Sequence, residues 1–285
     1  MPTIRIVGPG RAGRSLATAL GHAGWDVLPL LGRGDPVADA AQGVDALVLA
    51  TPDDAIAGVA AAVRPRAGTV VAHLAGSLGT DVLGPHPRRA ALHPLVALPD
   101  PDTGARRLLS GATFAVAGDA MAWDIVAALG GTPVEVADED RAAYHAAACI
   151  AANHVVALLG QVERVARAAG VPLDAFLPLA ASAVEDVGRL GSRRALTGPA
   201  TRGDWDTLAR HLRALDPQER SGYRAGVGLA LQLTASAASA RPPSPAVPAA
   251  PVPEVAVPGV ATGERTARDR PPAPAPGRAP VAAQA

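Results

Sequence analysis

Three glycines set the first constraint on the fold. Gly8, Gly10 and Gly13 stand in the run Gly8-Pro9-Gly10-Arg11-Ala12-Gly13. The run follows a β-branched segment, Ile4–Val7, and opens a helical pattern, Ala12–Ala23. A chain that passes from strand to helix on this spacing begins a β-α-β unit. The first glycine makes the tight turn, the second lets backbone approach a ligand without a Cβ, and the third lets helix pack close on strand. The helix start then offers free N–H groups and partial positive charge to an anion. Gly8, Pro9, Gly10, Arg11, Ala12 and Gly13 are thus the expected pyrophosphate seat. The bland alternative is a glycine-rich turn that holds no nucleotide.

The segments that follow agree with this start. Short apolar runs at Asp26–Leu31, Ala46–Ala50, Thr69–His73, Ala90–His93, Thr113–Ala117 and Pro133–Val136 read as strands. Helices are expected near Ala38 and Asp54, between the early strands. Pro29 is a blemish in the second run, because proline cannot donate to a sheet ladder. The alternation predicts an α/β fold, a Rossmann-type, doubly wound and mainly parallel sheet over residues 1–137. From Asp138 the strand signals cease. Asp138–Gly170, Leu173–Leu190, Trp205–Leu215 and Gln218–Ala238 read as helices, with Asp204 and Asp216 placed as N-caps. An all-helical domain over 138–240 is expected. Residues 241–285 hold 12 of the chain's 28 prolines and no aromatic residue. Such a segment buries too little to offset its ordering entropy, so a disordered Pro/Ala-rich tail is expected, with a proline-motif ligand as the alternative.

The second strand selects the dinucleotide. An NAD site places an acidic residue at its end for the ribose hydroxyl, whereas here the first charged residue is Arg33. A guanidinium there suits a 2′-phosphate, so NADP(H) is expected over NAD(H), although Asp35 stands close enough to serve a hydroxyl.

Ligands of open α/β sheets sit beyond the carboxyl ends of the strands. Thr51-Pro52-Asp53-Asp54 follows the third strand as either a cofactor contact or a helix cap, with Asp53 as the cap. His73 and His93 end later strands, with Ser77 shortly after the first of them. On the long helix His145, Cys149 and Asn153 recur every fourth residue. At about 100° per residue they form one stripe, which leaves His154 on the far side. The stripe serves either a site or the core, and Cys149, without a cation beside it, reads as packing. Arg202, in the polar loop 197–204, is suited to a carboxylate or phosphate, or else to Asp204.

Composition removes whole classes of mechanism. The 26 basic residues are all arginine, so no lysine is present to form a Schiff base, hold a P-loop phosphate or act as a general acid. Their charge balances 26 acidic residues, which gives no electrostatic reason to expect nucleic acid or an anionic membrane. One cysteine excludes an internal disulfide framework, and no metal site is expected. No uninterrupted apolar run reaches membrane-spanning length. The best candidate, Ala146–Gly160, carries Asn153 and His154 and reads as a buried helix. The chain enters its first strand without a signal-peptide pattern, so a cytoplasmic protein is expected.

The glycine loop, Thr51-Pro52-Asp53-Asp54-Ala55-Ile56, His73 to Gly79, His93-Pro94, His145 to Asn153, and Leu196-Thr197-Gly198-Pro199 with Arg202-Gly203-Asp204 together resemble the Rossmann-like, DUF2520-containing proteins. The resemblance spans about residues 1–239. It places the chain in the 6-phosphogluconate dehydrogenase-like class, akin to pyrroline-5-carboxylate and ketopantoate reductases. It implies an NADP-binding domain followed by a helical domain that dimerises. In the related dehydrogenases a lysine precedes an asparagine by four residues. With Asn153 as that asparagine, Cys149 holds the lysine position. The expected activity is hydride transfer from NADPH to a small keto or imino acid. His145 is expected to donate the proton, assisted by Asn153, while Arg202 or His93 holds the carboxylate and Ser77 lines the site. The alternative is a sensor or scaffold that binds NADP(H) without turnover.

Overall fold

In the computed structural model, residues 1–235 are described. The expected tail, and the last three residues of the expected final helix, lie outside them. The strands are β1 (Thr3–Val7), β2 (Asp26–Val27), β3 (Ala46–Leu49), β4 (Val70–His73), β5 (Arg89–Pro94), β6 (Thr113–Gly118) and β7 (Thr132–Glu135). They form one seven-stranded sheet in the order β2-β1-β3-β4-β5-β6-β7. Pairing is parallel throughout except between β5 and β6, where Leu92 stands opposite Val116 in an antiparallel ladder. β3 and β4 are buried at every position, as strands covered on both faces must be.

Helices α1 (Arg11–His22), α3 (Pro101–Leu109) and α4 (Met121–Ala128) cover one face. The other face is covered by α2 (Asp53–Ala62) and the 3-10 turn Thr80–Leu83. α1 and α3 meet closely, because a Cβ at Gly104 would collide with Ser15 Oγ. The strand expected over Asp26–Leu31 is a two-residue strand plus a bridge at Leu31. Its backbone still follows β1, through Leu28 N–H to Ile4 O and Leu31 N–H to Ile6 O. Pro29 has no N–H to add, which breaks the ladder at an edge where the sheet tolerates it. The helix expected near Ala38 is absent. Ala40 and Gln42 donate only to Val37 and Asp39, and Gly43, at φ +70°, closes the turn.

The helical part starts with a 3-10 turn, Asp138–Asp140, and runs on through α5 (Arg141–Cys149), a π turn (Ile150–His154) and α6 (Val155–Ala168). Gly170, at φ +71°, and Pro172 end it as expected. Then come α7 (Leu177–Leu190), the one-turn helices α8 (Ser192–Ala195) and α9 (Pro199–Arg202), α10 (Trp205–Ala214) and α11 (Arg220–Ala235). Asp204 caps α10 by accepting from Thr207 N–H at 3.1 Å. Asp216 accepts from Gln218 N–H at 2.9 Å.

The stretch Ala146–Gly160 is not buried. Ile150, Val156 and Leu158 are 58%, 71% and 54% exposed, because no other layer among the described residues lies over them. Among the described residues, Asp138–Ala168 is the one helix long and apolar enough to cross a membrane by length and composition.

Candidate active site

The loop between β1 and α1 has the shape its glycines imply. Gly8 sits at φ +109°, and a Cβ there would lie 2.5 Å from Ala50 O. At Gly13 a Cβ would lie 2.0 Å from Gly8 O, whereas at Gly10 it would meet nothing within 4 Å. Two of the three glycines thus fold the turn and the third leaves its face open. Arg14 Nε–H donates to Pro9 O at 2.7 Å and pins the loop. The first turn of α1 carries no acidic side chain and no side-chain cap, so Arg11 and Ala12 present backbone amides to an incoming anion.

A cleft of about 670 Å³ opens here at the carboxyl ends of β1 and β3, lined by Gly8, Pro9, Gly10, Arg33, Asp35 and Thr51 among others. Two polar groups in it lack partners. Thr51 Oγ1 is buried with none, and Arg33 forms no hydrogen bond or ion pair among the described residues. Asp35 is engaged, since its Oδ2 accepts Gly32 N–H at 2.7 Å. Asp53 is not the cap of α2. Pro52 holds the cap position, and the Asp53 carboxylate accepts from Ser77 Oγ at 3.2 Å. Open backbone, an orphaned hydroxyl and an unpaired guanidinium fit a phosphorylated dinucleotide.

Along the same edge of the sheet, β5 ends at His93-Pro94 and the loop after β4 runs through Gly76. α5 crosses here and brings Tyr144 and His145 to His93. His93 Nδ1 and Tyr144 Oη are 2.7 Å apart. The His93 ring meets those of Tyr144 and His145 edge to face, with centroids at 5.6 and 5.7 Å. Only glycine fits between the imidazoles, because a Cβ at position 76 would lie 2.5 Å from His145 Cδ2 and 3.0 Å from His93 Nε2. Burial pushes the His93 imidazole down to about 4, and His145 and Arg141 push it the same way. Burial likewise raises the Tyr144 phenol. Both groups are therefore neutral near pH 7, and a Tyr144 O–H donated to Nδ1 leaves the imidazole proton on Nε2. His73 has a structural role: its Nδ1 accepts from Ala75 N–H at 3.2 Å and its Nε2 lies 3.1 Å from Gly79 O.

A cavity of about 310 Å³ lies between the end of β5 and the long helix. His93, His145, Cys149 and Asn153 line it, with Leu95 and Ala152 among the apolar walls. The helical stripe is thus brought to one place. The π turn helps, since its wider turn advances fewer degrees per residue and returns Asn153 toward the side of His145. His154 does not line the cavity. Cys149, expected only to pack, lines it and lies 3.8 Å from His145 Nε2. Ser77 and Arg202 do not line it. Arg202 ends α9 and forms no ion pair with Asp204.

Two residues of the site were missed in the sequence. One is Tyr144. The other is Arg141, whose side chain is 0% exposed although it carries a charge. Its Nη1 reaches Ala75 O at 3.5 Å and its Nε lies 3.7 Å from Asp138 Oδ1, while among the described residues Nε and Nη2 have no hydrogen-bond partner. Asp138 also accepts from Thr80 N–H at 2.8 Å and Thr80 Oγ1 at 2.9 Å, tying the start of the long helix to the loop after β4.

A Rossmann-like domain model matches residues 33–99. A model of a domain of unknown function, DUF2520, matches residues 112–228. The chain carries both domains. The DUF2520 match starts inside the sheet, so β6 and β7 fall within it together with most of the helices.

No curated protein matches the chain. Among solved structures, an inferred NADP oxidoreductase from Bacteroides fragilis aligns at 20% identity and TM-score 0.69, over 81% of this chain and 98% of its own. A reductive aminase from Aspergillus terreus, in complex with NADPH and ethyl levulinate, aligns at 17% and 0.61, over 81% and 94%. A pyrroline carboxylate reductase from Plasmodium falciparum with NADP bound aligns at 13% and 0.55, over 82% and 98%. At these identities the likeness is one of fold.

Proposed function

We propose that the chain is an NADP(H)-dependent reductase acting on a small C=O or C=N compound held between the sheet edge and the long helix. The observation that carries this reading is the neutral His93–Tyr144 pair facing His145 on the same sheet edge as the glycine loop. Gly8 to Gly13 would hold the pyrophosphate and Thr51 Oγ1 and Pro52 would border it. Arg33 would meet the 2′-phosphate, a reading supported by its freedom beside an engaged Asp35. Bound there, the reduced nicotinamide supplies a hydride to an unsaturated carbon. His145 is the proton donor and Asn153 orients the substrate. His93, fixed by Tyr144, offers a neutral N–H to the substrate oxygen or nitrogen. The similarity to NADP-bound reductases supports the same reading.

We also propose that two chains pair through the helical part. Val156, Leu179, Val184 and Trp205 are each more than half exposed, apolar side chains that a second copy would cover. The test of the reductase reading is NADPH oxidation against a panel of ketones, keto acids and cyclic imines. Turnover that falls about a hundredfold in His145→Ala supports it. Tight NADPH binding without turnover on any substrate would instead favour a sensor.

A further inference from the structure

We propose that the cavity beside His93 and His145 takes an uncharged carbonyl compound, a ketone or aldehyde on small apolar substituents, and excludes both keto acids and iminium ions. This rests on the reading of that cavity as the substrate site, and it narrows the substrate from the two classes left open above.

The wall itself carries the inference. Of the eleven described residues that line the cavity, none is Asp, Glu, Lys or Arg. Its polar groups are two imidazoles, one carboxamide and one thiol, and the rest is proline, alanine and branched aliphatic surface. A carboxylate that enters meets no permanent cation, because a proton on His145 passes to the substrate in the reaction. An iminium ion that enters meets no anion. Either way an ion gives up part of its water without a partner to replace it. A carbonyl oxygen needs only a donor, and the N–H of His93 or His145 or the amide of Asn153 supplies one.

The two arginines that could rescue a carboxylate stand elsewhere. Arg202 does not reach the wall. Arg141 is enclosed behind the loop at Ala75, with its guanidinium turned toward Ala75 O and Asp138. Its buried, half-compensated charge works against any cation bound beside His93, which counts a second time against an iminium. An anion would feel the same field, but a field without contact does not restore lost hydration. The volume, about 310 Å³, limits the occupant to a small molecule.

Binding can be read from the imidazole NMR signals of His93 and His145 in the full-length chain, titrated with two matched pairs. Methyl pyruvate and pyruvate share a ketone and differ in charge, and cyclopentanone and N-methylpyrrolinium share a five-membered ring and differ in charge. The neutral member of each pair is expected to shift both signals and to bind about a hundredfold more tightly than its charged match. Equal binding by pyruvate or by N-methylpyrrolinium would overturn the proposal. NADPH oxidation with pyruvate as fast as with methyl pyruvate would overturn it too, while leaving the reductase reading in place. NADPH binding with no response of either imidazole to any probe would remove the cavity as the substrate site. Ala148→Asp, which adds an anion to the wall, is expected to raise N-methylpyrrolinium binding about tenfold, and no gain would count against the charge argument.

Discussion

Acidification should destabilise this protein through its buried imidazoles, His93 most of all. Burial sets His93 at about 4 in the folded chain, against an ordinary value of 6.5. Between those values the unfolded chain holds a proton that the folded chain refuses, so stability rises with pH across that window and falls as pH drops through it. Linkage over that interval gives a loss of roughly 2 kcal/mol between about pH 7 and about pH 5, and roughly 3 kcal/mol once both states are protonated. Carboxylates titrate over the lower part of the same range, so the measurement must be a double difference. Urea unfolding of wild type and His93→Gln at the two pH values provides it. The variant keeps an amide near Tyr144 but has no proton to bind, and its loss on acidification should be smaller by the roughly 2 kcal/mol assigned to the imidazole. Wild-type His93 should also keep the NMR signature of a neutral ring well below pH 6. A His93 signal that titrates near 6.5, or equal pH sensitivity in both proteins, would refute the claim that the site holds this ring neutral.

Three further outcomes are expected. Gly8→Ala forces a Cβ to within 2.5 Å of Ala50 O at a positive φ; it should abolish NADPH binding in calorimetry and lower stability by about 2 kcal/mol. Arg33→Ala should weaken NADPH binding about tenfold and leave NADH binding unchanged, and equal losses for both would remove the guanidinium from the 2′-phosphate. Gly76→Ala should push the His145 ring away from His93, cutting kcat with little change in NADPH affinity; an unchanged kcat would mean that the ring pair has no part in turnover.

The first β-α-β unit was legible because glycine spacing states a backbone geometry directly. The second strand was half legible: Pro29 announced the break but not that β1 would still bind Leu28 and Leu31 around it. α3 was missed because Pro101-Asp102-Thr103-Gly104 has the composition of a turn. Only the structure shows Asp100 accepting from Thr103 N–H and Gly104 placed against Ser15. The reversed direction of β6 is a property of pairing that no local pattern carries. At the site, the stripe from His145 to Asn153 was legible from α-helical spacing, whereas the π turn that brings Asn153 closer to His145 was not. Tyr144 was not, since it sits one residue off the stripe and matters only because the end of β5 comes to meet it. Arg141 was not, because an arginine at a helix start reads as solvated and its enclosure depends on the loop at Ala75.

The π turn at Ile150–His154 is, in register, one residue too many for a straight α-helical rod. Upstream of it the rod presents His145 to His93, and downstream Gln161 bonds Glu219 O while Val156 and Leu158 stay exposed. Deleting a single residue there would leave a regular helix and rotate its whole distal half by about one residue's turn. The cavity wall and the exposed apolar side chains would then no longer be set independently on one continuous rod.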